Sequence, residues 1–193
     1  MSSFKQDLST RRRLALLIGN SDYNNPKNTL NYAINNVDDL SYTLINIDFE
    51  VTKCENLDYD DMKKNIKEFA NGINDGDLIV FYFCGHGCHV DNENYLIPID
   101  DDGIESEKEV LDFGIHVGRT IDLLTERNRS YVTIVIIDCC KPYCLESISS
   151  CKYNVANAHE IPKYLFFTYA QRSASTRDYT TTYWCICSIS LPI

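Results

Sequence analysis

The sequence lacks any apolar run near the roughly 20 residues that a membrane-spanning helix requires. It is also short of positive charge: 18 Lys and Arg stand against 28 Asp and Glu, for a net charge of -10. Phosphate backbones are bound by clustered Lys and Arg, so we expect no nucleic-acid partner. The first residues, MSSFKQDLSTRRR, are polar and lack the apolar core of a secretory signal. We therefore expect a cytoplasmic protein without membrane contact.

The nine cysteines do not form a recognisable disulfide framework. Their number is odd, and no secretory signal is predicted, so we interpret them as reduced thiols. No C-x-x-C pair follows either of the two strands discussed below, which disfavours a thioredoxin-like redox site. The 193 residues suit one domain that buries roughly 70% of the surface its unfolded chain exposes.

Short apolar strands alternate with amphipathic helices along the chain. Helices are predicted after Tyr32, after the capping residue Asp58 and from Ile115 to Arg127, and a hairpin is predicted to turn at Asp91-Asn92. The predicted strands are RLALLIGN, FEVTKC, DLIVFYFC, YVTIVII and KYLFFTYA. This alternation indicates an α/β fold with a largely parallel sheet and helices on both faces.

Chemically active residues follow two of these strands. The Gly85-His86-Gly87 segment comes after the third strand, and Asp138-Cys139-Cys140 comes after the fourth. The carboxyl ends of parallel strands share one edge of a sheet, where ligands bind, so an imidazole and a thiol can meet there. A nucleophilic thiol needs such a base. The plain alternative is a loop histidine and buried cysteines.

A zinc site is the second chemical alternative for this region. Cys84, His86, Cys88 and His89 supply suitable ligand types. Structural zinc usually takes its ligands from C-x₂₋₄-C pairs in turns, whereas Cys84-x-His86-x-Cys88 repeats every two residues. The spacing therefore disfavours zinc, and we expect no metal ligands here.

The segments LALLIGN, INDGDLIVFYFCGHG, NYLIPID and IIDCCK, in this order, resemble the caspase-like cysteine peptidases, nearest to the paracaspases and metacaspases. The similarity covers residues 12–142 and, more weakly, the YLFFTYA strand. The separation of His86 from Cys140 is 140 − 86 = 54 residues, close to the ~50 residues typical of caspases. The caspase pentapeptide Gln-Ala-Cys-Arg-Gly is absent, which indicates a protein other than a true caspase.

The resemblance implies a three-layer caspase-like fold with flavodoxin-like strand order. On this basis we divide the chain into a flexible N-terminus (1–11), a catalytic domain (12–170) and an atypical, short C-terminal tail (171–193). In the family, a last strand after this point pairs across a dimer. A homodimer or a partner chain is therefore part of the expectation.

The resemblance also implies the catalytic residues of a cysteine endopeptidase. His86 would be the general base and Cys140 the nucleophile, with the adjacent Cys139 as a rival. The backbone N–H groups of Gly87 and Cys140 would form the oxyanion hole. The alternative function is a catalytically weak or inactive module that acts by binding or dimerisation.

Asp138 resembles the acidic residue that receives Arg or Lys at the cleavage position of a protein or peptide substrate. A carboxylate pairs with a guanidinium in a bidentate fork. The family's acidic partner in the first helix falls on Asn36 here, with Asp38 and Asp39 nearby, and a further acidic position falls on Thr176. These departures predict a pocket that holds basic residues more loosely or that prefers another kind of residue.

No cofactor is expected. The acidic loop Asp100–Glu109 offers oxygen ligands, and metacaspases commonly need calcium, so calcium activation is the alternative. The loop lacks the twelve-residue EF-hand pattern, and a solvated loop is the favoured interpretation.

Overall fold

The computed structural model describes residues 11–126, 132–142 and 164–169, with residues 140–142 and 164–169 described by their backbone alone. Two 3₁₀ turns, Pro26–Asn28 and Asp101–Gly103, lie outside the regular elements. In chain order those elements are β1 (Arg13–Gly19), α1 (Ala33–Ile45), β2 (Glu50–Glu55), α2 (Tyr59–Gly72), β3 (Leu78–Val90), β4 (Glu93–Leu96), α3 (Glu107–Phe113), β5 (Ile115–His116), α4 (Val117–Glu126), β6 (Thr133–Pro142) and β7 (Tyr164–Tyr169).

Five of the strands form a parallel sheet in the order β2-β1-β3-β6-β7. Numbered among themselves in chain order, they run 2-1-3-4-5, which is the flavodoxin-like arrangement. β4 pairs antiparallel with the far half of β3, and β5 pairs antiparallel with β4. The predicted fold class is confirmed.

Side chains alternate along the strands and pack against helices on both faces of the sheet. α1 covers one face, and α2 and α4 cover the other. The α1 face holds Ala15, Leu17, Ala33, Val37, Leu44, Phe49, Val80, Tyr82 and Cys84. The opposite face includes Leu16, Ile18, Met62, Ile66, Phe81, Phe83, Ile121, Leu124, Val135, Ile137 and Cys139. Each large apolar side chain buried in this way contributes about 1.5–3 kcal/mol of transfer free energy.

The first two helices follow the predicted pattern. Asp58 caps α2, because its side chain accepts a hydrogen bond from the Asp61 N–H at 2.8 Å. The α2 stripe buries Met62, Ile66 and Ala70 against the sheet. In α1, by contrast, no side chain caps the N-terminus, and the helix is held by its packing against β1, β2 and β3.

The third strand does not end at Cys84 as predicted; β3 continues through Gly-His-Gly to Val90. Its first half pairs with β1 as far as Gly19, and its second half pairs with β4. The predicted hairpin turn is present, because Asp91 and Asn92 both have positive φ (50° and 68°), as a tight two-residue turn requires.

The predicted helix from Ile115 to Arg127 is wrong at its start. The short strand β5 occupies Ile115–His116, and α4 begins at Val117. The acidic segment before it is also more ordered than predicted, since α3 begins at Glu107. A capping box explains this helix: the Ser106 side chain accepts from the Glu109 backbone, and the Glu109 carboxylate accepts from the Ser106 N–H at 2.9 Å.

Some sequence predictions fall outside the described residues. These are residues 1–10 of the predicted flexible N-terminus 1–11, the acidic position aligned with Thr176 and the C-terminal tail 171–193. None of the helices in residues 11–126 combines the length and apolarity that crossing a bilayer would take.

Candidate active site

His86 is buried, with 3% of its surface exposed, where β3 passes beyond the end of β1. Its backbone N–H donates to the Tyr23 hydroxyl (2.8 Å), that hydroxyl donates to the Ile97 carbonyl (3.2 Å), and the Ile97 N–H donates to the His86 carbonyl (2.9 Å). Tyr23 also packs edge-on against the imidazole, with ring centroids 4.7 Å apart. His86 is therefore packed and hydrogen-bonded within the fold, although a glycine lies on each side of it.

Burial keeps Tyr23 a hydrogen-bond donor. Desolvation raises the pKa of its hydroxyl well above the ordinary value, against the opposing effect of the His86 N–H. The phenol therefore stays protonated at any physiological pH and holds the end of the β3–β4 hairpin together.

The imidazole has a defined tautomer. Its Nε2 lies 2.7 Å from the backbone carbonyl oxygen of Asn28, and a carbonyl can only accept. Nε2 therefore carries the hydrogen, and in the neutral ring Nδ1 carries the lone pair. Nδ1 is the atom through which this histidine can take a proton.

β6 brings the cysteine pair to the same edge of the sheet. Asp138 is in register with Cys84, and Lys141 is in register with His86, so the register shifts by one residue between them. Cys140 lies in this bulge, on the strand adjacent to His86. The structure thus brings the backbones of the two predicted catalytic segments side by side.

Cys139 has a different environment. It is 2% exposed and packs in the apolar core under α2 and α4, whereas Asp138 and Cys84 lie on the α1 side of the sheet. A thiol enclosed in that core is remote from any substrate, which weighs against Cys139 as the nucleophile.

The two predicted pocket residues are in contact. Asp138 Oδ2 accepts hydrogen bonds from the Tyr82 hydroxyl at 3.0 Å and from Asn36 Nδ2 at 3.3 Å, with Cys84 Sγ at 3.7 Å. Burial, then the nearby Cys84 and Asp138, raise the Tyr82 pKa, so its hydroxyl also remains a donor. We name Asp138, Asn36, Tyr82 and Cys84 the Asp138 cluster.

Asp38 and Asp39 do not complete this cluster. Both are exposed, and Asp38 pairs with Lys53 on β2 at 2.5 Å. Among the described residues, α1 reaches Asp138 through Asn36.

Gly87, the other predicted oxyanion residue, is paired on both sides. It is opposite Leu96 in β4 and in register with Pro142 in β6. The Ile97 N–H donates to the His86 carbonyl, so the backbone polar groups of His86 face β4 and those of the next residue, Gly87, face the opposite way. The Gly87 N–H therefore points away from β4, towards β6.

Among the described residues, no three His, Cys, Asp or Glu side chains are grouped as ligands of one ion. Cys84 packs under α1, while Cys88 packs in a separate cluster with Tyr23 and Val90. In the acidic loop Asp100–Glu109, two carboxylates contact the rest of the fold. Asp100 Oδ1 accepts from the Tyr59 N–H (3.0 Å), and Asp101 is buried at 2% exposure.

Sequence reasoning missed Tyr23, Asn28, Tyr82 and Asp101. A signal existed for Tyr82, because two-residue alternation puts it on the same face of β3 as Cys84. No pattern marked Tyr23 or Asn28, which lie in an irregular segment. Asp101 was interpreted as part of a solvated loop.

A buried histidine of fixed tautomer beside a cysteine-bearing bulge, at the carboxyl edge of a parallel sheet, defines a candidate thiol-dependent hydrolase site. The family model for the Caspase domain matches residues 12–185, and the chain belongs to this family of cysteine peptidases. The predicted resemblance to the caspase-like cysteine peptidases is confirmed.

The individual proteins that the chain resembles share less than a third of their aligned residues with it. The chain is 28% identical to Caspase b of Danio rerio over 94 residues, which are 48% of this chain and 23% of that protein. The crystal structure of the Geobacter sulfurreducens protein GSU0716 superposes with a TM-score of 0.52 at 18% identity, covering 67% of this chain and 50% of the other. This chain thus matches half or less of either relative's length, and the structural likeness concerns the fold alone.

Gly85→Ala is expected to lower the free energy of unfolding by about 1–3 kcal/mol. A Cβ at this position would lie 2.6 Å from Phe83 Cζ and 2.8 Å from the Tyr23 hydroxyl, which is itself hydrogen-bonded. Urea denaturation would measure the loss. The control is Gly72→Ala at the end of α2, where nothing lies within 4 Å of the added Cβ and stability should be equal or higher. Equal stability of both variants would contradict the close packing at Gly85.

Proposed function

We propose that this chain is a cysteine endopeptidase in which Cys140 is the nucleophile and His86 the general base, with cleavage after Arg or Lys. The observation that supports this most directly is the hydrogen bond from His86 Nε2 to the Asn28 carbonyl, beside the β6 bulge that carries Cys140. The hydrogen bond leaves the proton-accepting lone pair on Nδ1, and the strand pairing keeps both residues at one edge of the sheet.

In the proposed reaction, Nδ1 of His86 takes the proton of the Cys140 thiol, and the thiolate attacks the carbonyl carbon of the scissile peptide bond. The oxyanion that forms is stabilised by the N–H groups of Gly87 and Cys140. The imidazolium then returns the proton to the leaving amine as the C–N bond breaks, which gives a thioester. Water, deprotonated by His86, hydrolyses the thioester and regenerates the thiol. No cofactor is needed.

The proposed preference for a basic residue comes from the Asp138 cluster. Its carboxylate is half-buried and already held by neutral donors, the Tyr82 hydroxyl and the Asn36 amide. A guanidinium that reaches this carboxylate would form charge-assisted hydrogen bonds, which are about twice as strong as neutral ones. Because Asn36 is neutral, the cluster carries one formal negative charge rather than two, and we expect it to accept both Arg and Lys.

Four cysteines have described side chains, Cys54, Cys84, Cys88 and Cys139, and none of them is in a disulfide. This supports the proposal of a reducing, cytoplasmic setting for the protein.

The direct test is a panel of matched fluorogenic peptides that end in Arg, Lys, citrulline or Asp. We expect cleavage of the Arg and Lys peptides, with citrulline, a neutral isostere of Arg, at least about tenfold slower, because it lacks the charge that pairs with Asp138. Rates should be equal in EGTA and in millimolar calcium. Preference for Asp, or dependence on calcium, would contradict the proposal.

The alternative is an inactive caspase-like module that acts by binding or by pairing with a second copy or another chain. The match covers only 23% of Caspase b, so this likeness by itself does not imply activity. Failure to cleave any peptide, with a dimer seen by sedimentation, would favour this alternative.

A further inference from the structure

Asp101 is a buried carboxylate that the sequence offers no reason to single out. Only 2% of its surface is exposed, although it lies in the acidic segment Asp100–Glu109. One oxygen, Oδ1, accepts from the Asn25 N–H at 2.8 Å, and the other, Oδ2, accepts from Asn28 Nδ2 at 2.6 Å. Asp101 thus binds both ends of the Pro26–Asn28 turn.

The same turn carries the carbonyl that holds the histidine. Asn28 accepts the proton of His86 Nε2 on its backbone oxygen while its side chain donates to Asp101. Asn28 lies in an irregular segment between β1 and α1, outside any sheet ladder. The direction of its carbonyl therefore depends on local hydrogen bonds. The two hydrogen bonds to Asp101 connect the turn to a buried carboxylate.

We propose that Asp101 is a positioning residue: by clamping the Pro26–Asn28 turn, it keeps the Asn28 carbonyl on His86 Nε2 and so fixes the tautomer of the imidazole. The importance for catalysis rests on the proposed peptidase function. The tautomer does not depend on that function.

The neighbouring carboxylates make other contacts and provide a control. Asp102 is exposed, and its Oδ1 accepts from Asn24 Nδ2 at 3.0 Å. Asp102→Asn therefore makes the same change of charge one residue away. Asp101→Asn keeps the size of the side chain. Its amide N–H₂ would face one of the two donors, the Asn25 N–H or Asn28 Nδ2, so one of the two hydrogen bonds would be lost.

The test is NMR of the 193-residue chain labelled with ¹⁵N at its 4 histidines. Long-range ¹H–¹⁵N spectra distinguish the two neutral tautomers, and His86→Gln assigns the signals. We expect His86 to be an Nε2–H tautomer in the wild type and in Asp102→Asn, and a mixture in Asp101→Asn. An unchanged tautomer in Asp101→Asn would overturn the proposal.

Two further variants separate clamping from simple destabilisation. Asn28→Ala removes one donor and leaves the Asn25–Asp101 bond, so it should shift the tautomer partially even if Asp101→Asn fails to fold. Asp101→Asn combined with Asn28→Asp exchanges the amide and the carboxylate and should restore the Nε2–H form. Failure of both variants to behave in this way would also overturn the proposal.

A second experiment measures the cleavage of the fluorogenic peptide that ends in Arg. We expect Asp101→Asn to lower kcat by about 10–100-fold with KM within about twofold, because a misoriented base slows proton transfer and leaves the Asp138 cluster intact. A rise in KM at constant kcat would contradict the positioning role. If the wild type cleaves no peptide, the proposed function fails, while the tautomer measurement still decides the role of Asp101.

Discussion

Replacement of Cys140 by alanine is expected to abolish peptide cleavage, lowering kcat/KM by at least about 10⁴-fold. The proposed reaction forms its thioester on this sulfur, and alanine offers no nucleophile. Cys140 lies in the bulge of β6 next to His86, so the substitution changes a position where the ladder is already interrupted. Initial rates on the Arg peptide measure the effect.

Cys139→Ala is the matched control, because it removes a thiol one residue away. The Cys139 side chain is buried in the core under α2 and α4, so we expect wild-type kcat/KM and a loss of about 1 kcal/mol in the free energy of unfolding. If Cys139→Ala removes activity while remaining folded, or if Cys140→Ala retains it, the assignment of the nucleophile is wrong.

Chemical labelling gives a second readout of the same assignment. A peptidyl chloromethylketone ending in Arg should alkylate the protein once, and peptide mapping should locate the mass increase on Cys140. His86→Gln should slow this alkylation, since it removes the base that generates the thiolate. A label on Cys139 would reverse the choice between the two cysteines.

Asp138→Asn is expected to lower kcat/KM for the Arg and Lys peptides by about 30- to 1,000-fold and to leave the citrulline peptide within a few-fold of wild type. Loss of one member of a desolvated charge pair costs about 2–4 kcal/mol, which converts to that range. The substitution keeps the size of the side chain. The ratio of kcat/KM for Arg to that for citrulline is therefore the quantity to measure.

Two variants control for charge and for packing. Asp39→Asn makes the same change of charge on the exposed side of α1 and should leave the Arg-to-citrulline ratio unchanged. Tyr82→Phe removes a hydrogen bond to Asp138 but no charge, and should lower activity on Arg less than tenfold. If Asp138→Asn leaves the ratio as in the wild type, the carboxylate does not select the substrate.

Asn36→Asp tests the missing second acid of the pocket with a pH profile. It would place two carboxylates about as close as the 3.3 Å that now separates Asn36 Nδ2 from Asp138 Oδ2. Repulsion raises the pKa of one member of such a pair. We therefore expect a higher Arg-to-citrulline ratio at high pH, where both are ionised, and loss of this gain as the pH falls through the raised pKa. A pH-independent ratio would contradict the contact between the two side chains.

Much of the fold could be predicted from local patterns. The helical stripe of Met62, Ile66 and Ala70, the cap at Asp58 and the turn at Asp91-Asn92 are all encoded within a few neighbouring residues, and all are present. The start of α4 was misjudged because Ile115 and His116 pair with β4, a partner that is distant in sequence. β3 was predicted too short for the same reason, since its second half depends on the hairpin with β4.

The candidate site, like the fold, could be predicted only where local patterns were sufficient. The motifs around His86 and Cys140, together with the rule that parallel strands share their carboxyl edge, were sufficient to predict that the two segments are neighbours. The exclusion of Cys139 as the nucleophile required the structure, which shows which side chains of β6 face α2 and α4 and which face α1. That alternation cannot be read from two consecutive identical residues.

The sequence by itself determined the five parallel strands, the helices α1 and α2, the two polar strand ends and the likeness to caspase-like peptidases, because these depend on periodicity and on motifs of adjacent residues. The tertiary structure decided that Tyr23 joins His86 to Ile97, that the Asn28 carbonyl sets the tautomer and that Asp101 holds the turn supplying it. These contacts join residues 58 to 76 positions apart. The geometry of hydrogen bonds across such loops follows from how the layers pack, and no local pattern of residue types encodes it.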